Sequence, residues 1–387
     1  MSTTPLFAAD PLDPLRVTGR LERLRVALAT GETDEGAPDA LLVTNPANIR
    51  WLTGFTGSAG VLLVTDEHAL LTSDGRYRTQ AAEQLVASGA DHEVTVGIGG
   101  VSTQRELLAG AAADVEVLGL EASDVSWAAV RSWETVFAPR RLVPTHGLVE
   151  ALRAVKDEGE VVRMERAAAI ADAALAAVLP MLAAAGAGTD TVTESAFAAA
   201  LDHAMRSLGA EDRAFETIVA SGENSAKPHA RPSERVLRPG DPVVVDFGAT
   251  YDGYRSDMTR TFCLGGAPTG ELATVFAVVA AAQAAGVASV APGVAAGDVD
   301  SVCRDAIAEA GWAERFEHGT GHGVGLDIHE APSVGAGSTA ILQPGTVVTV
   351  EPGVYLPALG GVRIEDTLVV TATGSRPLTR FPKEVPV

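Results

Sequence analysis

The sequence predicts two domains in series: an α/β layered domain over residues 1–150 and a second domain of helices and strands over residues 151–387. Three observations lead there. Short apolar runs alternate with helical periodicities as far as Val149, the pattern of a sheet with helices laid on it. From Leu152 the texture changes to long Ala-rich helical segments followed by β-branched runs, and this order occurs twice. The chain has 387 residues, 47% hydrophobic and 20% charged, enough for two or three domains with sizeable cores.

Residues 1–14 read as a loose tail, since Pro5, Pro11 and Pro14 oppose a helix. Arg16 to Ala29 places Val17, Leu21, Leu24 and Leu28 on one helical face, and 31–38 is a surface loop. Strands are expected at Ala40–Thr44, Val61–Val64, Leu70–Thr72, Val94–Val96 and Val115–Leu118. A turn is expected within Asn45–Phe55, and helices after Tyr77, near Thr103–Ala112 and near Val125–Ala138. In the second domain a helix spans Val161–Leu179, stopped by Pro180, and another covers Thr191–Ser207. Strands follow at Thr217–Ala220, Val243–Phe247 and Thr259–Leu264. Two more helices are expected at Gly270–Val290 and Val299–Ala310, then a strand-rich stretch from Val347 to Val370.

Net charge is −21 with a pI near 4.7, which argues against nucleic acid and anionic membranes as partners. The cysteines Cys263 and Cys303 make no disulfide framework, the first residues lack signal-peptide character, and no strongly apolar run approaches ~20 residues. A cytoplasmic location is the expectation.

The chemistry concentrates around Val243–Phe262. Asp246 and Asp257 flank a turn signal at Tyr251-Asp252-Gly253, so a hairpin brings both carboxylates toward one face. Two neighbouring buried anions repel unless a cation lies between them. Glu351 ends the run Val347–Val350, Glu365 follows Val362-Arg363-Ile364, and His318-Gly-Thr-Gly-His322 supplies imidazoles. Four carboxylates with one imidazole suit hard or borderline divalent ions, and exceed the need of one ion. The Gly-rich segment 318–325 lacks the Lys-Ser/Thr pair of a phosphate loop. His68, His92, His146 and His203 read as bystanders, Cys263 as apolar filler, and Glu330 as a local cap or pair.

The segments Asp246-Phe-Gly, Asp257-Met-Thr-Arg260, His318-Gly-Thr-Gly-His322, Glu351-Pro-Gly-Val-Tyr355 and Val362-Arg-Ile-Glu365 resemble the metallopeptidases of the pita-bread fold. The match is to their proline-specific members, aminopeptidase P and prolidase. Ser221-Gly-Glu-Asn-Ser-Ala-Lys-Pro-His229 and Gly325-Leu-Asp-Ile-His329-Glu330 add to it. Leu52-Thr-Gly-Phe-Thr-Gly-Ser58 and Asp74-Gly-Arg-Tyr77 extend it into the first domain. The resemblance implies a creatinase-like α/β domain before an α+β pita-bread catalytic domain, and two divalent ions per chain, with Mn²⁺ expected ahead of Co²⁺ or Zn²⁺. It implies that Asp246 chelates one ion, Asp257 and Glu365 bridge both, and His322 and Glu351 complete the second. Arg363 is expected to hold a bridging carboxylate, with Tyr355 beside it. His229 and His329 flank the scissile bond, His318 walls the pocket beyond it, and Glu351 relays the proton.

The expected activity is hydrolysis of the Xaa–Pro bond at the N-terminus of proline-containing peptides, with an Xaa-Pro dipeptidase as the alternative. A non-catalytic binding module of the same fold, a creatinase-like amidinohydrolase and a methionine aminopeptidase fit the donors and the extra domain less well. The resemblance also implies a homodimer. Arg50, Trp51, Asp74 and Arg76 are read either as reaching a neighbouring subunit's site or as holding the first domain together.

Overall fold

The computed structural model describes residues 12–30, 37–383 and 387. Residues 1–11 of the expected tail and 31–36 of the expected loop lie outside them. The described chain forms two compact units, Leu12–Arg153 and Ala154–Val387.

The first unit carries a mixed six-stranded sheet of β1 (Ala40–Val43), β2 (Val61–Val64), β3 (Ala69–Ser73), β4 (Val94–Ile98), β5 (Val117–Glu121) and β6 (Arg141–Thr145). The order is β4-β3-β2-β1-β5-β6, with β1–β2 and β2–β3 antiparallel and the other pairs parallel. Helices α1 (Arg20–Thr30), α2 (Pro46–Thr53), α3 (Arg78–Ser88), α4 (Val101–Ala111), α5 (Trp127–Phe137) and α6 (Leu148–Arg153) complete it. Every residue of β1 is buried, as a strand covered on both faces requires. Leu108 of α4 and Phe137 of α5 pack on Ala40, Leu42 and Leu120.

Three elements differ from expectation here, among them helix α6, which covers a stretch assigned to no element. The segment read as a turn is helix α2, capped by the Asn45 side chain and begun by Pro46 at its first position. Strand β6, which the sequence reading did not assign, pairs in parallel with β5. Trp51 is buried beneath the guanidinium groups of Arg20 and Arg23, 4.7 and 5.4 Å from its ring, so it holds this unit together. Asp74 and Arg76 form an exposed bidentate pair with each other.

The second unit repeats one plan. Helices α7 (Glu158–Gly186) and α8 (Glu194–Ser207) precede β7 (Asp212–Arg213), β8 (Ile218–Ser221), β9 (Pro242–Phe247), β10 (Ala249–Tyr251), β11 (Tyr254–Arg255) and β12 (Met258–Cys263). Helices α9 (Gly270–Ser289) and α10 (Ala296–Glu309) then precede β13 (Gly321–Gly323), β14 (Glu330–Val334), β15 (Val347–Val350), β16 (Gly353–Leu356), β17 (Gly360–Arg363), β18 (Asp366–Val370) and β19 (Ser375–Pro377). One core joins α7 and α8 to β9 through Leu175, Leu182, Phe197, Val245 and Phe247. The other joins α9 and α10 to β15 and β18 through Val279, Val299, Val348 and Leu368.

The anticipated hairpin is present in elaborated form. Strands β9 and β12 pair antiparallel along their full length, and the turn between them grows its own ladder, β10–β11. Asp252 and Gly253 sit at φ 44° and 71° at its tip, the left-handed pair that a tight two-residue hairpin loop demands.

Pro180 does not stop α7, which continues to Gly186. A proline there removes one backbone hydrogen bond, but Leu182 and Ala185 extend the buried stripe of Leu175 and Val178, and that packing outweighs the loss. By length and composition α7 and α9 are apolar enough to cross a membrane, against the expectation from the sequence. Their apolar stripes are buried in the two cores. Pro180→Ala, at an exposed position, restores the missing bond and is expected to raise stability by about 1 kcal/mol or more, read as a higher denaturation midpoint.

Candidate metal centre

The five expected donors converge at the inner ends of the two strand groups. In the β9–β12 register Asp246 lies opposite Thr259. Asp257, two residues before Thr259, therefore shares the face of Asp246. Segment 361–367 runs against β12: the Glu365 amide donates to the Thr259 carbonyl at 3.1 Å, and the Thr367 hydroxyl to the Asp257 carbonyl at 2.8 Å. Those contacts bring Glu365 to the two aspartates. His322 comes from β13, whose Gly323 pairs with Val348 of β15, and Glu351 follows that strand directly.

Two glycines let β13 lie this close to both of its neighbours, β15 and β14. A Cβ on Gly321 would sit 2.1 Å from the Thr349 carbonyl oxygen, and one on Gly323 would sit 2.2 Å from that of Ala331. The Gly-rich segment thus serves close strand packing around His322.

His322 Nε2 lies 3.6 Å from Asp257 Oδ2 and 3.4 Å from Glu351 Oε1. Its Nδ1 faces the Gly323 carbonyl at 2.9 Å, which directs Nε2 inward as an electron-pair donor. Asp257, His322 and Glu365 each offer a donor atom, all within 4.8 Å of one another. Asp246 Oδ1 and Glu365 Oε1 are buried without a hydrogen-bond partner. Orphaned buried carboxylate oxygens are costly unless a cation takes them.

The electrostatics agree. Burial, reinforced by Glu365 and Asp246, holds the Asp257 carboxyl well above its ordinary range. Burial together with Glu351 and Asp246 does the same for Glu365. Glu351 is pushed up to about 8 by burial and by Asp246, against the pull of Arg363. Burial lowers His322 to about 4, so its imidazole is neutral and free to ligate. The donor set fits divalent cations on these observations.

Arg363 is the fixed cation of the centre. Its guanidinium donates to Asp246 Oδ2 at 2.7 Å, Tyr355 Oη at 2.9 Å, Thr259 Oγ1 at 3.1 Å and the Pro228 carbonyl at 3.3 Å. Its carboxylate partner is thus Asp246, rather than either acid expected to bridge, and Glu351 Oε2 lies 4.0 Å away. Tyr355 Oη also meets His318 Nε2 at 2.8 Å, while His318 Nδ1 faces the Gly319 carbonyl at 2.8 Å. Burial lowers His318 to about 4. A neutral ring donating through Nδ1 and accepting at Nε2 satisfies every partner in the chain from Arg363 through Tyr355.

The centre opens into a cleft of about 780 Å³ lined by His229, His318 and His329, and also by Phe215, Ile218 and Arg231. His229 and His329 are exposed, and the His329 ring packs edge-on against His322, centroids 4.4 Å apart.

Sequence reasoning missed several supports. Thr259, on the face of Asp246 and Asp257, donates its hydroxyl to Glu365 Oε2 at 2.7 Å; strand alternation from Asp257 marks that position. Glu330 does more than pair locally. It accepts the Asp327 amide, but its carboxylate is also 3.0 Å from buried Lys156, 174 positions earlier. His68, His92, His146 and His203 lie on the surface.

Removing bound ions exposes the raised carboxyls to titration. A carboxyl whose folded pKa is raised stabilises the fold at low pH and loses that contribution as pH climbs through the raised value. His318 and His322, depressed to about 4, act oppositely, but only below their ordinary 6.5. Above pH 7 only the carboxyls act, Glu351 at about 8 among them. Chelator-stripped protein is therefore expected to lose up to about 1.4 kcal/mol per pH unit for the Glu351 proton between pH 7 and 8, with that contribution flattening above 8. Saturating Mn²⁺ should abolish that slope and raise the melting temperature. Thermal melts with and without metal across that range check it.

Residues 162–372 match metallopeptidase family M24, and residues 20–155 match the creatinase/prolidase N-terminal domain. A curated Xaa-Pro dipeptidase of Pyrococcus horikoshii is 34% identical, covering 91% of this chain and 95% of its own. The solved Xaa-Pro dipeptidase from Bacillus anthracis superposes with a TM-score of 0.87 at 38% identity, over 96% of this chain and 99% of that one. An X-Pro aminopeptidase from Thermotoga maritima superposes at 0.80 with 35% identity, over 90% and 97%. On family match and architecture together, the chain belongs to metallopeptidase family M24, with a creatinase-type N-terminal domain ahead of a pita-bread catalytic domain.

Proposed function

We propose that this hydrolase cleaves the peptide bond preceding proline, with Xaa-Pro dipeptides as its substrate class. The observation that carries the reading is the cluster of buried, partly orphaned carboxylate oxygens at the floor of a cleft walled by histidines. The names of the Pyrococcus and Bacillus relatives favour the dipeptide. Aminopeptidase action on longer peptides is the second reading. A cleft of about 780 Å³ that Arg231 also lines favours it, as does the Thermotoga relative.

Asp246, Asp257, His322, Glu351 and Glu365 would together hold two divalent ions. Mn²⁺ suits this oxygen-rich set. When bound, two such ions supply Lewis acidity and lower the pKa of water toward neutrality. Glu351 takes the proton from the attacking water and delivers it to the leaving proline nitrogen. His329 donates to the carbonyl oxygen as charge develops there, and His229 orients the substrate across the bond. His318, fixed by Tyr355 and Gly319, walls the subsite for the proline ring. That ring lacks an N–H and has a fixed backbone angle, so shape is the available selector.

Mass spectrometry of Ala-Pro, Ala-Pro-Ala and Ala-Ala digests with Mn²⁺, Co²⁺ or Zn²⁺ tests this. Cleavage of Ala-Pro well above Ala-Pro-Ala supports the dipeptidase, and the reverse supports the aminopeptidase. Equal cleavage of Ala-Ala defeats proline specificity.

A further inference from the structure

Glu194 is fully buried, 0% exposed, far along the chain from every metal donor, and the chemistry above does not use it. It opens α8, where Thr193 is the cap, so its carboxylate is not needed to start the helix. The carboxylate instead gathers donors from both ends of the segment 221–233. Oε1 accepts from the Ser221 amide and hydroxyl, each at 2.7 Å, and Oε2 from the Ser233 amide at 3.0 Å and hydroxyl at 2.6 Å. The Asn224 side-chain amide reaches both oxygens, at 3.2 and 3.3 Å.

The Ser221 hydroxyl oxygen in turn accepts from Arg235 at 2.7 Å, and Arg235 is itself paired with Asp241 at 2.5 Å. Gly222 turns at φ +52° against that guanidinium, where a Cβ would lie 2.2 Å from Nη2. The chain between the two anchored ends carries Pro228 and the exposed His229, and Arg363 touches the Pro228 carbonyl at 3.3 Å. Without those anchors, a segment of this length samples many conformations, and few of them direct His229 into the cleft.

We propose that Glu194 is a positioning residue that closes segment 221–233 into a loop and thereby aims His229 at the substrate. The effect on turnover rests on the peptidase reading; the closure of the loop does not. Glu194→Gln keeps the volume but replaces one acceptor oxygen with an NH₂ group, so one end of the loop loses its partner.

The test is a double-mutant cycle on the Mn²⁺-loaded full chain, with an Xaa-Pro peptide as substrate, joined to amide hydrogen exchange. E194Q is expected to lower kcat/KM by roughly 10–100-fold at unchanged metal content. In an H229A background the same change should cost no more than about 2-fold, because the two residues act through one another. Exchange should quicken in 222–232 and not in 243–262. Leu201→Ala, a core truncation in the same helix, should lower the melting temperature yet leave kcat/KM and that exchange pattern at wild-type values. If E194Q does not fold, Ser233→Ala removes one anchor alone and should give a smaller shift in the same direction. Full additivity with H229A, or unchanged exchange in 222–232, overturns the proposal. A wild-type chain that cleaves no Xaa-Pro peptide while E194Q still loosens the loop defeats the peptidase reading and leaves the loop closure standing.

Discussion

Glu351→Gln is expected to lower kcat by about 10²–10⁴-fold without unfolding the protein. The amide keeps the shape and an oxygen that can face a cation, but it cannot accept and return a proton. The same substitution also changes the stability of the chelator-stripped protein. Glu351 sits among Asp246, His322 and Arg363, and burial raises its carboxyl to about 8, so its charged form is the unfavourable one without metal. In chelator at pH 9 the variant should therefore melt no lower than wild type, a direction opposite to the usual cost of a buried substitution. Stopped assays and paired melts read both outcomes. Wild-type turnover in metal-loaded E351Q would remove the proton relay from the account.

Arg363→Met has the largest expected effect on stability. The guanidinium is 3% exposed and satisfies Asp246, Tyr355, Thr259 and the Pro228 carbonyl together. Against the pull of its own burial, Tyr355, Asp246 and Glu351 hold it firmly protonated. Its loss leaves a crowded group of carboxylates without a permanent counter-charge, and should cost about 3–5 kcal/mol in chelator. Lysine is no substitute, since one ammonium cannot span the four acceptors. Added Mn²⁺ should recover part of the loss by supplying positive charge at the same place. Denaturant titrations of R363M and R363K, each with chelator and with Mn²⁺, measure this. A loss that metal leaves untouched would mean that Arg363 acts through packing alone.

Much of this centre was legible because three of the five donors stand at the edge of an apolar run. Asp246 ends Val243–Val245, Glu351 ends Val347–Val350, and Glu365 follows Val362-Arg363-Ile364. An acid at such a boundary is carried inward by the strand it belongs to, and a hairpin pairs two of them by register alone. Helix α2 was also written locally, in Asn45-Pro46, although the sequence reading took it for a turn.

The remainder depends on contacts between distant positions. Nothing near Glu330 points to Lys156, and nothing near Glu194 shows that Ser221 and Ser233 meet on its two oxygens. The partner of Arg363 follows from how segment 361–367 lies across β12, a tertiary fact that favours Asp246 over the acids expected to bridge. Pro180 shows the converse case. A strong local stop signal loses to the buried stripe that continues past it to Leu182 and Ala185.

The most direct measurement is anomalous diffraction from crystals of the full chain grown with Mn²⁺, recorded at the manganese edge. The account predicts two peaks per chain, side by side among Asp246, Asp257, His322, Glu351 and Glu365, with Asp246 Oδ1 and Glu365 Oε1 now taken up by the ions. Metal-loaded crystals with no anomalous density at those five side chains, or with density only elsewhere, would contradict it.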